Sequence, residues 1–98
     1  MKITFEPAAR DELNGIFTWI AKDNQRAARE LIARIEQKVM QLANPELAHM
    51  GRPGLVGSTR ELIEWPYIIV YNVHEDREEI VIISIVHGAR NREDRDDN

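Results

Sequence analysis

Cysteine is absent from the 98 residues, so disulfide staples and thiolate metal sites are excluded and export gains no support. Long apolar runs are missing as well. The N-terminus opens on a strand-like segment instead of a basic region followed by an apolar stretch, so neither signal peptide nor transmembrane helix is expected. A cytoplasmic location is the default that follows. A basic excess is also lacking: the formal net charge is −4, whereas a general nucleic-acid binder carries cations that displace counterions. Direct specific binding to DNA is therefore not expected. No internal repeat and no second domain is present, since a chain this short cannot support two cores.

The charge is unevenly placed. Residues 1–50 hold seven basic and seven acidic side chains, and residues 51–98 hold six and ten. Most of the acidic excess sits in two places, Glu75, Asp76, Glu78 and Glu79, and Glu93, Asp94, Asp96 and Asp97. The cations Arg52, Arg60, Arg90 and Arg92 remain available to gather locally.

With 43% hydrophobic and 31% charged residues, the chain has a globular composition, and its strongest pattern lies in residues 59–92. Two runs, 67–73 and 80–86, are built almost wholly from Ile, Val and Tyr, whose side chains favour a pleated surface. The polar stretch 74–79 between them predicts an antiparallel hairpin. Their apolar residues do not alternate with polar ones, which places both strands in the middle of a sheet. Residues 1–5 alternate around Ile3 and predict a short strand near an edge. Residues 59–65 predict another strand, and Pro66 predicts a bend or bulge before the next. The loop at 46–58, rich in Gly and Pro, is long for so small a domain, and long loops often hold function.

Two helices precede this region. Pro7 suits a first helical turn, with Asp11 and Glu12 near the positive end of the dipole, and Ala9, Leu13, Ile16, Phe17 and Ile20 share one face at helical spacing. Gly15 interrupts that helix and suggests close approach of a neighbour. Lys22-Asp23-Asn24 offers capping residues for a second helix, whose apolar face is Ala28, Leu31, Ile32, Ile35, Val39 and Leu42. Asn44-Pro45 is expected to end it in a left-handed cap. The short link predicts an antiparallel helical hairpin laid on the sheet. The expected fold is therefore α+β, in the order β-α-α-β-β-β, with a helical hairpin on a small antiparallel sheet. Residues 1–92 form the domain, and the charged tail at 93–98, with no apolar anchor, is expected to be disordered in isolation.

Several side chains carry two readings. Arg60 and Arg90 serve either as surface partners of Glu61, Glu64 or Glu93, or as groups that stabilise charge on a ligand. His87 either bonds a backbone group or transfers protons. His49 and His74 lie in loop and turn positions without companions at ligand spacing, so no metal and no cofactor is expected. Trp19 stands beside the apolar face of the first helix and is expected to be partly buried, although an exposed tryptophan would suit an interface. Trp65 precedes a proline on a possible edge. Tyr67 and Tyr71 share a strand face and are expected in the core.

The segments Thr59-Arg60-Glu61-Leu62, Tyr67-Ile68-Ile69-Val70-Tyr71-Asn72-Val73 and Ile83-Ser84-Ile85-Val86-His87-Gly88-Ala89-Arg90 together resemble the RelE/ParE superfamily of toxins from bacterial type II toxin–antitoxin modules. The resemblance covers nearly the whole chain. RelE-like members cut messenger RNA on the ribosome, and ParE-like members inhibit DNA gyrase. RNA cleavage needs a proton acceptor, a stabiliser of the phosphorane and a proton donor. RelE-like enzymes place basic residues on the sheet, one of them just after the strand tyrosine, and a tyrosine or histidine near the C-terminus. Here Ile68 follows Tyr67 and no tyrosine follows Tyr71, so Arg60, Arg90 and His87 are an incomplete set. The R-E-L and H-G-A-R forms look more like ParE. The resemblance thus implies a gyrase-binding toxin held by a ParD-like antitoxin in a hetero-oligomer, with the RelE-like ribonuclease as the alternative. It implies target contacts at Arg60, His87, Arg90 and Arg92. Antitoxin contacts are expected at Trp19, Arg26, Arg34, Arg60 and Trp65.

Overall fold

Two aliphatic runs settle the centre of the sheet, as their composition requires. In the computed structural model, which describes residues 1–88, β1 (Lys2–Phe5) leads into α1 (Pro7–Ala21) and α2 (Gln25–Gln41). There follow β2 (Arg52–Pro53), β3 (Arg60–Glu64), β4 (Tyr67–His74) and β5 (Glu79–His87). The sheet order is β1-β5-β4-β3-β2, so the two Ile/Val strands are indeed interior. Arg90, Arg92 and the tail at 93–98 lie outside the described residues.

The two-layer α+β arrangement is as expected, but the sheet is mixed. β1 runs parallel to β5, with Ile3 opposite Ile80 and Phe5 opposite Ile82, while the remaining pairs are antiparallel. A fifth strand, β2, lies within the expected loop and pairs only through Arg52 and Pro53. Its proline is tolerated because the strand is at the edge. Trp65-Pro66, expected as a bend or bulge, is instead the two-residue turn of a β3–β4 hairpin, with Glu64 opposite Tyr67 and the carbonyl of Pro66 accepting the N–H of Gly88 at 2.7 Å.

The bulge lies elsewhere. Register passes from Val70 opposite Ser84 to Tyr71 opposite Ile82, leaving Ile83 unmatched. An extra residue disrupts the ladder locally, and α1 supplies the missing acceptor: Glu12 takes hydrogen bonds from the N–H of Ile85 at 3.1 Å and the hydroxyl of Ser84 at 3.0 Å. Glu12, read in the sequence as a dipole partner, thus joins α1 to β5.

Tyr67, Ile69, Tyr71, Ile80, Ile82 and Ile85 meet Ala9, Leu13, Leu31, Ile35, Val39 and Leu42 in one core. Each large aliphatic side chain so buried contributes on the order of 1.5–3 kcal/mol. The three-residue link at 22–24 folds α2 back on α1, and Asn24 caps α2 by accepting the N–H of Ala27 at 3.0 Å. The other end of α2 differs from expectation: the C-cap is Leu42 in right-handed geometry, and Asn44 accepts the N–H of Glu46 at 3.0 Å, a local side-chain turn that does not need a left-handed residue.

Gly15 also differs from its reading. A Cβ there would meet nothing within 4 Å, so no neighbour requires the glycine. Gly15→Ala is expected to raise stability by about 1 kcal/mol through helix propensity, measured by urea unfolding. Ile82→Ala, which empties a fully buried position, is expected to cost about 2–5 kcal/mol in the same assay.

Candidate interaction site

The side chains singled out in the sequence divide between two ends of β3. Arg60 stands opposite Tyr71 and Glu64 opposite Tyr67, so Arg60 and Trp65 are separated by about 16 Å of extended chain. Tyr67 is in turn opposite His87, which places His87 at the Trp65 end.

At the Arg60 end the loop at 46–58 is held by the sheet. The Tyr71 hydroxyl donates to the carbonyl of Ala48 at 3.0 Å and accepts the N–H of Gly51 at 3.0 Å. Gly51 lies so close that a Cβ would stand 2.7 Å from that hydroxyl and 2.8 Å from the carbonyl of Glu61. Arg60 Nη1 donates to the carbonyls of His49 at 3.1 Å and Gly51 at 2.8 Å. Its expected partners are otherwise engaged, Glu61 with Arg52 at 2.9 Å and Glu64 with Arg34 at 3.4 Å and Lys38 at 3.7 Å. Lys38 also donates to the carbonyl of Ile63. His49 Nε2 lies 2.7 Å from Glu75, a contact invisible in the sequence because it joins residues 26 apart.

At the other end, Trp65 is 69% exposed, and Trp19 is 71% exposed, contrary to its expected partial burial. α1 starts beside Ile82, through the N–H of Glu6 bonded to its carbonyl, and Glu12 reaches Ile85. The helix therefore runs with β5, and Trp19 falls about two turns beyond Glu12, toward the strand end, beside the stripe of Ile16 and Ile20 that packs against the core. Lys22 Nζ lies 5.4 Å from the centre of the Trp19 ring. Arg26 pairs with Glu30 at 3.3 Å on an exposed helix face, and Arg34 reaches Glu64 beside Trp65. Thus Arg34 and Trp65 are brought near one another, while Arg60 is held apart from them.

His87 sets the edge of its ring against Tyr67, with centroids 5.5 Å apart and planes at 80°. The expected backbone bond is not made by Nδ1, which is buried and has no hydrogen-bond partner among the described residues. Arg90 and Arg92, the remaining sequence candidates, fall outside the described residues.

Glu79 is a further paired group: Thr4 donates to its carboxylate at 2.7 Å and Arg77 stands 3.0 Å away. The Thr4 hydrogen bond, followed by Arg77 and Lys2, holds that carboxyl below its ordinary range.

Burial pushes the Tyr71 hydroxyl above the usual tyrosine range, partly offset by the Gly51 N–H and Arg60. Because the folded-state value is the higher, this group's contribution is complete below about pH 10 and is lost as pH rises through the raised value. Tyr71→Phe is expected to cost about 1–3 kcal/mol at neutral pH by stranding two buried backbone groups. It is also expected to flatten the alkaline fall in stability, both read from denaturant midpoints across pH.

Comparison with known proteins agrees with this architecture. Residues 3–92 match the family model described as the ParE toxin of the type II toxin–antitoxin system parDE. Over 89 residues the chain is 39% identical to Y4kP of Sinorhizobium fredii, a protein named as a candidate toxin, covering 89% of this chain and 88% of that one. Among solved structures it is similar to a chain of the chromosomal ParDE system of P. aeruginosa, with a TM-score of 0.74 and 23% identity over 89% of this chain and 95% of that one. A chain of the RelBE2 toxin–antitoxin complex of Mycobacterium tuberculosis gives 0.64 and 17%, covering 88% and 95%. One from the intact E. coli RelBE complex gives 0.59 and 12%, covering 87% and 97%. At these identities the solved structures establish the fold, and the family model with the 39% relative establishes the membership: the chain belongs to the ParE toxin family of type II toxin–antitoxin systems.

Proposed function

We propose that this ParE-family toxin acts by binding DNA gyrase and is neutralised by a ParD-like antitoxin that covers the Trp19–Trp65 end. The observation that carries the reading is the exposure of both tryptophans, 71% and 69%. Large aromatic surfaces flanked by paired charges are a common anchor for a protein partner and an uncommon luxury on a monomer. Arg26, Arg34 and Trp65 supply the polar and apolar parts of that surface. The solved ParDE and RelBE assemblies are toxin–antitoxin systems, which supports an antitoxin partner for this chain as well.

The use of the cations favours binding over RNA cleavage. Among the described residues, Arg34, Lys38, Arg52 and Arg77 face carboxylates, and Arg60 is turned onto loop carbonyls. A phosphorane-stabilising cluster needs such groups converging on one point. The target contacts proposed at Arg60, His87, Arg90 and Arg92 are read as protein recognition with no catalytic role, Arg60 standing at the opposite end of β3 from His87.

Purified toxin added to gyrase and plasmid is expected to abolish supercoiling or accumulate cleaved DNA; codon-biased cuts in translated message with gyrase unaffected would establish the RelE-like alternative. Removal of the chain from Arg90 onward is expected to reduce toxicity while antitoxin binding persists, and undiminished toxicity would contradict the target set. Trp65→Ala is expected to weaken the antitoxin complex by about 2 kcal/mol, roughly thirtyfold in Kd, by calorimetry.

A further inference from the structure

The tip of the β2–β3 hairpin presents two aliphatic side chains that the core does not use. Leu55 and Val56 are 49% and 62% exposed, yet their backbone is fixed. The N–H of Gly54 donates to the carbonyl of Thr59 at 2.7 Å, and Thr59 returns both its N–H, at 3.1 Å, and its hydroxyl, at 2.6 Å, to the carbonyl of Val56. A Cβ on Gly54 would stand 2.1 Å from Thr59 Oγ1, so the neck of the hairpin closes only with glycine there. A preformed apolar knob loses little freedom when a partner covers it.

Beside the knob is a recess lined by His49, Ser58, Thr59, Arg60 and Val73. Arg60 directs Nη1 to the loop carbonyls, and its Nε and Nη2 make no hydrogen bond among the described residues. His49 is paired with Glu75 at 2.7 Å, so this couple contributes no net positive charge, and Arg52 is taken by Glu61. Among the described residues, the recess thus offers at most one positive charge, that of Arg60. One carboxylate balances it, whereas a phosphate carrying close to two charges would leave an excess beside Glu75.

We propose that the knob and recess form a second docking point for the antitoxin, in which one acidic side chain of an extended antitoxin segment pairs with Arg60 while adjacent apolar residues cover Leu55 and Val56. The proposal rests on the reading of the chain as an antitoxin-neutralised toxin. Charge complementarity selects an acidic protein segment over nucleic acid. Distance selects the antitoxin: the recess lies about 16 Å along β3 from Trp65, a span that about five extended residues cover, so a segment anchored on Trp65 reaches it without a second molecule.

The test uses the full chain and its cognate antitoxin in calorimetry at about 0.05 and 0.5 M salt, on either side of strong screening. Leu55→Ser with Val56→Ser removes the knob's apolar surface at exposed positions, and Arg60→Gln removes the charge while keeping an N–H donor for the loop carbonyls. The double serine variant is expected to bind about tenfold more weakly at both salts. Arg60→Gln is expected to weaken binding at low salt and to show a smaller salt dependence than the wild type. Wild-type affinity within twofold for both variants, with Trp65→Ala still weakened, overturns this docking point and leaves the antitoxin reading standing. An unchanged salt dependence in Arg60→Gln overturns the carboxylate contact. Failure of the wild type to bind overturns the antitoxin reading and this proposal together.

Discussion

A loop of thirteen residues on a five-stranded sheet has many backbone donors and acceptors to satisfy, and one phenol hydroxyl does much of it. Tyr71 is fully buried in an interior strand, so its ring is fixed by the same packing that holds the core, and its hydroxyl carries that rigidity into the loop through Ala48 and Gly51. Buried polar groups of this kind are costly to strand and stabilising when complete. Arg60, directly opposite Tyr71 on β3, finishes the same task by donating to two more loop carbonyls. The motif arginine is therefore first a structural group, and only its remaining edge is left for recognition.

This division explains what could be read from the residues and what could not. Periodicity and residue type placed both helices, the capping segment at 22–24, the interior strands and the buried tyrosines, because each depends on neighbours close in sequence. The parallel pairing of β1 with β5 joins segments more than seventy residues apart, and β2 is too short to have a pattern. Pro66 marked a break, but whether the break is a bend or a hairpin turn is decided by the pairing of the strands around it. Trp19 lies one position from an apolar stripe, and burial was inferred from that stripe. Ile16 and Ile20 occupy the stripe against the core, and the indole beside them stays in solvent. Arg60 was expected to meet Glu61 or Glu64 as sequence neighbours, whereas Arg52 and α2 claim those carboxylates across the fold. Among the sequence candidates, Arg34 and Trp65 come together in space, and Arg60 stands apart.

Family membership and the disposition of charge bear on different questions. The match over residues 3–92 fixes the kind of module to which the chain belongs. The local chemistry constrains the described arginines in two ways: Arg34 and Arg52 face carboxylates, whereas Arg60 spends Nη1 on neutral loop carbonyls and keeps its charge. The proposal of action through recognition draws instead on the exposed indoles of Trp19 and Trp65.

Glu12 has a wider effect than its single carboxylate implies. By gripping the irregular point of β5, it prevents α1 from sliding lengthwise over the strand, much as a pin sets the travel of a rod. The spacing between the indole on the helix and the indole on the hairpin is consequently governed from the opposite stretch of α1. The layers that carry the two indoles are thus fixed relative to one another at Glu12 as well as at the Arg34–Glu64 pair.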